Sequence, residues 1–186
     1  MSEYQYYEFC KINAPLTSDA RKEMYSLSSR ANVTTHGAFY IYNYGDFRGN
    51  PKELLLKYFD VFFYISNFGC IRLMFKYNEQ EINVDKLKKH CVKHVISCEI
   101  QNSYVILDIN FSNEDGFGWI EGKGMLPDLL PLYDEIKAGN YQFLGLVAGT
   151  NNANTNSLEN NSGLVLSQAQ EVFFKYAEID HNVLCE

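Results

Sequence analysis

The sequence lacks the features that mark several large classes of protein. Acidic residues outnumber basic ones by 23 to 16 and the net charge is −7, so there is no basic excess of the kind that grips nucleic-acid phosphates. The longest apolar run, residues 54–68, contains Lys57 and Asp60 and is too short and too charged to span a bilayer. We therefore expect neither a nucleic-acid nor a membrane partner.

Cysteine usage and the N-terminal residues point to one compartment. The five cysteines are odd in number and contain no CxxC pair, which is typical of free thiols in a reducing environment. The opening sequence MSEYQYYEF has neither the basic region nor the apolar core of a secretory signal peptide. We predict a soluble, cytoplasmic protein.

Aromatic residues are the most abundant chemical feature that is present. The chain has 14 Tyr and 13 Phe but a single Trp, and its hydrophobic fraction of 46% is enough for a substantial core. Tyrosine has an apolar ring and a polar hydroxyl, so many of these rings are expected at the edge of the core. A Tyr-rich surface is also a candidate binding surface.

Alternating and β-branched patterns predict five strands. Helical signals predict a helix from the Thr17–Asp19 cap to about Ser28, a second over residues 84–95 and a third over 126–137, while residues 141–147 are apolar but undetermined in type. The predicted strands cover residues 3–12, 38–44, 70–77, 96–100 and 104–111, and the last two form a hairpin.

A central helix is predicted over residues 51–68. Asn50 and Pro51 form a typical helix start, residues 67–69 resemble a helix C-cap, and the apolar side chains between them surround most of the helix axis. A helix of this kind is buried on several sides.

These elements predict an α+β fold with a mixed, mostly antiparallel sheet and the central helix packed on one face. The β-α-β-α-β order of the first 77 residues also leaves a split βαβ arrangement possible. Residues 1–149 form the predicted α+β domain, residues 150–163 an asparagine-rich linker, and residues 164–186 a C-terminal helical segment.

Several short motifs together resemble a family of uncharacterised bacterial proteins. The similarity is strongest over residues 2–75 and looser to about residue 150. The resemblance implies no activity, cofactor or substrate, and no catalytic residue is carried over from it. Its motifs are SEYQYYEF at 2–9, PLT at 15–17, SSRA at 28–31, YGDFRGNP at 44–51, YFD at 58–60 and NFG at 67–69.

His90 and His94 are the candidate metal ligands. On a helix over residues 84–95 their i, i+4 spacing places both imidazoles on one face, with Cys98 as a more distant third ligand. The alternative is that both histidines lie on the solvated flank of the helix among lysines, which disfavour a divalent cation. No other cofactor is predicted.

The glycine-rich loop over residues 114–124 has the spacing GxGxxxGxG, which does not match a dinucleotide or P-loop motif. Its three carboxylates would also repel phosphate. Trp119 in this loop has two interpretations: it anchors a mobile loop to the body of the protein, or it is exposed as a binding anchor.

Tyr44, Asp46 and Arg48 lie in the turn before the central helix. Loops held by rigid elements often carry functional groups, but Asp and Gly are also what a tight turn requires, and Arg48 can pair with Asp46 or Glu53. Asp60 falls inside an apolar segment, so we expect it to be paired, with Lys57 or Arg72 as partner.

The pattern favours a non-catalytic protein-interaction or regulatory module that binds another protein, because no catalytic constellation can be assembled from the residues. The alternative is an enzyme of unrecognised type, or a metal-binding protein, with a site near Asp46, Arg48 and Asp60 or at His90 and His94. The oligomeric state is left open.

Overall fold

The computed structural model describes residues 3–150 and 165–179. Within these residues, seven strands form one sheet: β1 Gln5–Cys10, β2 Asn32–Val33, β3 Gly37–Tyr42, β4 Val61–Ser66, β5 Cys70–Asn78, β6 Ile96–Gln101 and β7 Tyr104–Ser112. Seven α-helices of the same residues accompany it: α1 Ser18–Leu27, α2 Pro51–Tyr58, α3 Val84–Lys88, α4 Leu126–Leu129, α5 Pro131–Lys137, α6 Gln142–Thr150 and α7 Gln168–Tyr176.

The sheet has the strand order β2-β3-β1-β4-β5-β7-β6, and every pair in the described residues is antiparallel. This confirms the predicted α+β class. The parallel crossover of a split βαβ unit is not formed, because β1 lies between β3 and β4 and pairs antiparallel with both. The predicted hairpin is confirmed as β6 and β7, with Asn102 and Ser103 at positive φ in its turn.

The predicted central helix over residues 51–68 is wrong in its second half. It starts as predicted, with the Asn50 side chain accepting from two backbone amides, but α2 ends at Tyr58 and β4 begins at Val61. The sequence VFFYIS of β4 is rich in aromatic and β-branched residues, which favour strands. A strand covered on both faces is apolar all round, as a buried helix is, so the pattern did not distinguish them. Residues 67–69 accordingly form the β4–β5 turn rather than a helix cap.

Two further predicted helices are interrupted. The helix over residues 84–95 is wrong beyond Lys88, because the chain turns there: Val92 pairs with Ile96, and His94 adopts a φ of 68°. The helix over residues 126–137 is divided at Leu130, since Pro131 has no N–H to continue the hydrogen-bond ladder. Residues 141–147 belong to α6.

Helices cover the sheet on both faces. The face under α1 and α2 is filled by a cluster that includes Phe9, Met24 and Phe62, and we call it the α1 face. The opposite face, which we call the α7 face, packs Phe63 and Phe173 in one cluster with the helices α3 to α7. Residues 151–164, most of the predicted linker, and 180–186 lie outside the described residues.

None of the helices in the described ranges is long and apolar enough to cross a membrane.

Candidate functional site

The turn over residues 44–51 is built around one buried ring. The Phe47 ring packs 4.7 Å from the Tyr40 centroid and 5.2 Å from that of Tyr7, which fixes the middle of the turn in the core of the α1 face. Gly45 has a φ of 76°, a conformation that glycine adopts without steric cost. Because Phe47 points inward, its neighbours Asp46 and Arg48 are left exposed on the surface.

Gln5 on β1 connects this turn to the sheet through side-chain hydrogen bonds. Its amide nitrogen donates to the Gly45 carbonyl at 3.1 Å and to Asp46 Oδ1 at 3.3 Å. Its amide oxygen accepts from the hydroxyls of Tyr7 at 2.7 Å and Tyr64 at 2.9 Å. Burial raises the pKa of Tyr7 and of Tyr64, so both hydroxyls keep the proton that they donate. The turn is therefore connected to the sheet by a partly buried polar network centred on Gln5.

The first cleft beside the turn contains two arginines, and we call it the arginine cleft. Its volume is about 390 Å³. The guanidinium of Arg30 lies 5.4 Å from the centroid of the Tyr42 ring, a cation–π arrangement. Among residues 3–150 and 165–179, neither Arg30 nor Arg48 has a carboxylate within ion-pair distance. The lining residues used below are Ser28, Arg30, Tyr42, Tyr44, Asp46 and Arg48.

The second cleft is larger and more apolar, and we call it the aromatic groove. It has a volume of about 880 Å³. Trp119 lies on it and is fully exposed, and Tyr44, which borders both clefts, is 73% exposed. The other lining residues used below are Tyr4, Ile41, Asn43, Asn67 and Ile120.

The loop that carries Trp119 is anchored by residues on either side of it. Phe117 is 1% exposed and its N–H donates to the Asn67 carbonyl at 3.1 Å. The Gly122 N–H donates to the Tyr4 hydroxyl at 3.0 Å, and a Cβ at Gly122 would lie 2.5 Å from the Tyr6 ring. The interpretation that Trp119 itself anchors the loop is wrong, because Phe117 and Gly122 do so and leave the indole in solvent.

Asp60 lies at the other end of β1 and is paired, as expected, but with Lys76 rather than Lys57 or Arg72. Its Oδ1 is 3.6 Å from Lys76 Nζ, and its Oδ2 accepts from the Ile12 N–H at 3.0 Å. Lys57 instead pairs with Glu23 at 2.7 Å, and Arg72 binds both oxygens of Asp108. Burial lowers the pKa of Lys76, and the nearby Asp60 carboxylate opposes that shift.

The structure does not bring Asp60 to Asp46 and Arg48. Asp46 contacts Gln5 at the start of β1, whereas the Asp60 N–H donates to the Cys10 carbonyl at its end. Five residues of strand separate these positions by about 17 Å. The structure thus brings Tyr44, Asp46 and Arg48 together, with Trp119 adjacent, and leaves Asp60 elsewhere.

The two candidate metal ligands do not share a helix face, because α3 ends before them. The His90 ring packs 5.5 Å from that of Tyr141, and His94 is exposed with its left-handed backbone. No group of three or more His, Cys, Asp or Glu side chains within the described part of the chain is arranged to hold a metal ion.

Some residues of the site were not identified from the sequence. The sequence indicates Arg30 only as part of the SSRA motif and Gln5 only as part of a strand. One feature of the sequence could have indicated a role for Gln5. It is a polar amide between two tyrosines in a strand that is predicted to be buried. Arg30 had no such signal, because its position beside Tyr42 depends on the path of the loop after α1.

Comparison with models of known protein families, with curated proteins and with solved structures found no match to this chain.

Proposed function

We propose that this protein is a non-catalytic protein-interaction module that binds a protein partner in the aromatic groove. The observation that carries the proposal is the full exposure of Trp119 beside the exposed Tyr44 on a cleft of about 880 Å³. Tryptophan and tyrosine are the side chains that most often dominate binding energy in protein interfaces.

The rigidity of the surroundings supports this proposal. Trp119 is held between two anchored residues, Phe117 and Gly122, so the indole is presented without ordering a long loop at the moment of binding. A preformed surface loses less conformational entropy on association than a disordered one. Burying a large apolar side chain contributes about 1.5–3 kcal/mol.

The net charge and the free thiols bear on the class of partner and on the compartment that we propose. A protein partner is favoured over nucleic acid because the net charge is −7. A cytoplasmic location is favoured because Cys10, Cys70, Cys91 and Cys98 are all free thiols. Burial raises the pKa of Cys10 and of Cys98 to about 11, which keeps both thiols protonated and poorly reactive.

Selection from a display library of short random peptides tests this function. We expect peptides that bind the native protein to lose at least tenfold in affinity against Trp119→Ala. The matched control is Tyr25→Ala, which removes an aromatic side chain that is 57% exposed on α1, and it should bind as the native protein does.

Thermal unfolding separates binding from folding. Because the Trp119 side chain makes no buried contact, its removal should change the free energy of unfolding by less than about 0.5 kcal/mol. If no peptides are enriched, or if enriched peptides bind Trp119→Ala as tightly as the native protein, the proposed function is wrong.

A further inference from the structure

Strand β3 has an unpaired outer edge at the point where the two clefts meet. Within the described chain, β2 pairs with β3 at Ala38 and Phe39 alone. The rest of β3, from Tyr40 to Tyr42, has no strand on its outer side, although it is fully paired with β1 on its inner side. Exposed edges of this kind accept an added strand from another chain.

The hydrogen-bonding direction along β3 can be derived from its neighbours. In an antiparallel ladder the N–H and C=O of one residue point to the same side, and the side alternates along the strand. The Gly37 carbonyl accepts from the Thr34 N–H at 2.8 Å, on the outer side. By alternation Phe39 and Ile41 also face outward, so the N–H and C=O of Ile41 face the unpaired edge.

The two clefts lie on opposite faces of the sheet beside this edge. Tyr42, in the arginine cleft, belongs to the cluster on the α1 face. Ile41, in the aromatic groove, packs against the cluster on the α7 face. Since successive side chains of a strand point to opposite faces, a segment added beside Ile41 would place neighbouring side chains alternately in the two clefts.

The charges of the arginine cleft indicate the chemical type of the side chain that the added segment would place there. Arg30 and Arg48 contribute two positive charges without carboxylate partners in the described residues, and Asp46 contributes one negative charge. The cleft therefore has an excess of one positive charge in a protein whose net charge is −7. One carboxylate balances that excess, whereas a doubly charged phosphate would leave the cleft with a net negative charge. Guanidinium groups bind carboxylates through paired hydrogen bonds.

We propose that the partner binds as an extended segment added to the outer edge of β3, with an apolar side chain in the aromatic groove and an acidic side chain in the arginine cleft. This inference rests on the proposed function, because it assigns the chemistry and binding mode of the partner. It predicts an odd sequence spacing between the apolar and acidic residues, since they must point to opposite faces.

Sequencing the peptides selected from the random library tests the pattern. We expect an aspartate or glutamate one or three positions from an apolar residue. Arg48→Glu and Arg30→Glu should each lower the affinity for these peptides at least tenfold. The matched control is Arg21→Glu, which makes the same change of charge on α1, outside the arginine cleft. Arg21 is exposed, and its substitution should have little effect on peptide affinity.

Methylation of each backbone nitrogen of one selected peptide tests the added strand. If the peptide pairs with β3, methylation should weaken binding most at one position, because Ile41 offers the one outward carbonyl of Tyr40–Tyr42 and a single peptide N–H can donate to it. Equal tolerance at all positions would overturn the added strand, and the absence of an acidic residue at odd spacing would overturn the role of the arginines.

These outcomes are distinct from failure of the proposed function. Peptides that require Trp119 but show neither a position sensitive to methylation nor an acidic residue would overturn this inference and leave the interaction function standing. If the selection yields no peptides that depend on Trp119, both are overturned.

Discussion

The two ends of strand β1 use charged side chains in opposite ways. At the C-terminal end, Asp60 and Lys76 are largely withdrawn from solvent and lie 3.6 Å apart. At the N-terminal end, Arg30 and Arg48 are exposed and have no ion-pair partner in the described residues. A buried charge without a partner costs several kcal/mol, whereas an exposed charge costs little and stays available to a ligand. The difference separates charges that maintain the fold from charges that are free to bind.

The change expected to affect the fold most is a rise in pH, which acts at both ends of β1. Burial raises the pKa of Tyr7, near Gln5, and of Tyr77 and Tyr133, near Lys76. Above the unfolded value of 10.0 the unfolded chain loses protons that the folded chain retains, so the stability of the fold is lost as pH rises. The lowered pKa of Lys76 makes the stability of the fold rise with pH instead, but this is one group, whereas several tyrosines lower the stability.

We expect the free energy of unfolding to be nearly level between about pH 7 and pH 9 and to fall steeply above about pH 10. Urea unfolding at a series of pH values measures it, with tyrosinate absorbance recorded in parallel. Tyrosines that all ionise near pH 10 while the protein stays folded would contradict the buried-hydroxyl account.

Removing one partner of the buried ion pair is the next largest change. Lys76→Ala leaves Asp60 without its counter-ion and should lower the free energy of unfolding by about 3 kcal/mol. The matched control is Lys57→Ala, because Lys57 pairs with Glu23 at the surface, where such pairs contribute less than about 1 kcal/mol. Equal losses in the two variants, measured by urea unfolding, would remove the distinction between the buried pair and a surface pair.

Gln5 connects the exposed end to the sheet, and its loss should have an intermediate effect. Gln5→Ala removes the amide oxygen that accepts from the buried Tyr7 hydroxyl and the half-buried Tyr64 hydroxyl, which should cost about 1–3 kcal/mol. Gln101→Ala is the matched control, because Gln101 is an exposed glutamine on the edge strand β6. If both variants unfold at the same denaturant concentration, the network beneath the turn does not stabilise the fold.

The smallest effect on stability is expected for the exposed arginine. Arg48→Ala should change the free energy of unfolding by less than about 0.5 kcal/mol, since it removes no buried contact and no ion pair within the described residues. A loss above about 1 kcal/mol would show that Arg48 has a structural role in the turn, as one interpretation of the sequence held.

The sequence predicted the strands better than the helices, for a physical reason. Strands β1 and β3 and the β6–β7 hairpin have local patterns that agree with their tertiary surroundings. The segment over residues 61–66 contains residues that favour strands but lacks the alternation that separates a strand from a helix, because it is buried on both faces. Its identity depends on β1 and β5 lying on either side of it.

The candidate site was predictable in part. Polar side chains in a turn are expected at the surface, so Asp46 and Arg48 could be singled out from the sequence alone. The position of Arg30 depends on the loop after α1 folding back to Tyr42, a contact between segments distant in the chain. That Trp119 is exposed while Phe117 is buried also depends on tertiary packing.

Fluorescence of Trp119 tests the central claim most directly, because it is the single tryptophan of the chain. The indole is fully exposed in the unbound protein and should emit as tryptophan does in water. Titration with a selected peptide should shift the emission to shorter wavelength and reduce its quenching by acrylamide, since the partner covers the ring. Emission and quenching that stay unchanged at saturating peptide would contradict the claim that this end of the molecule is the binding surface.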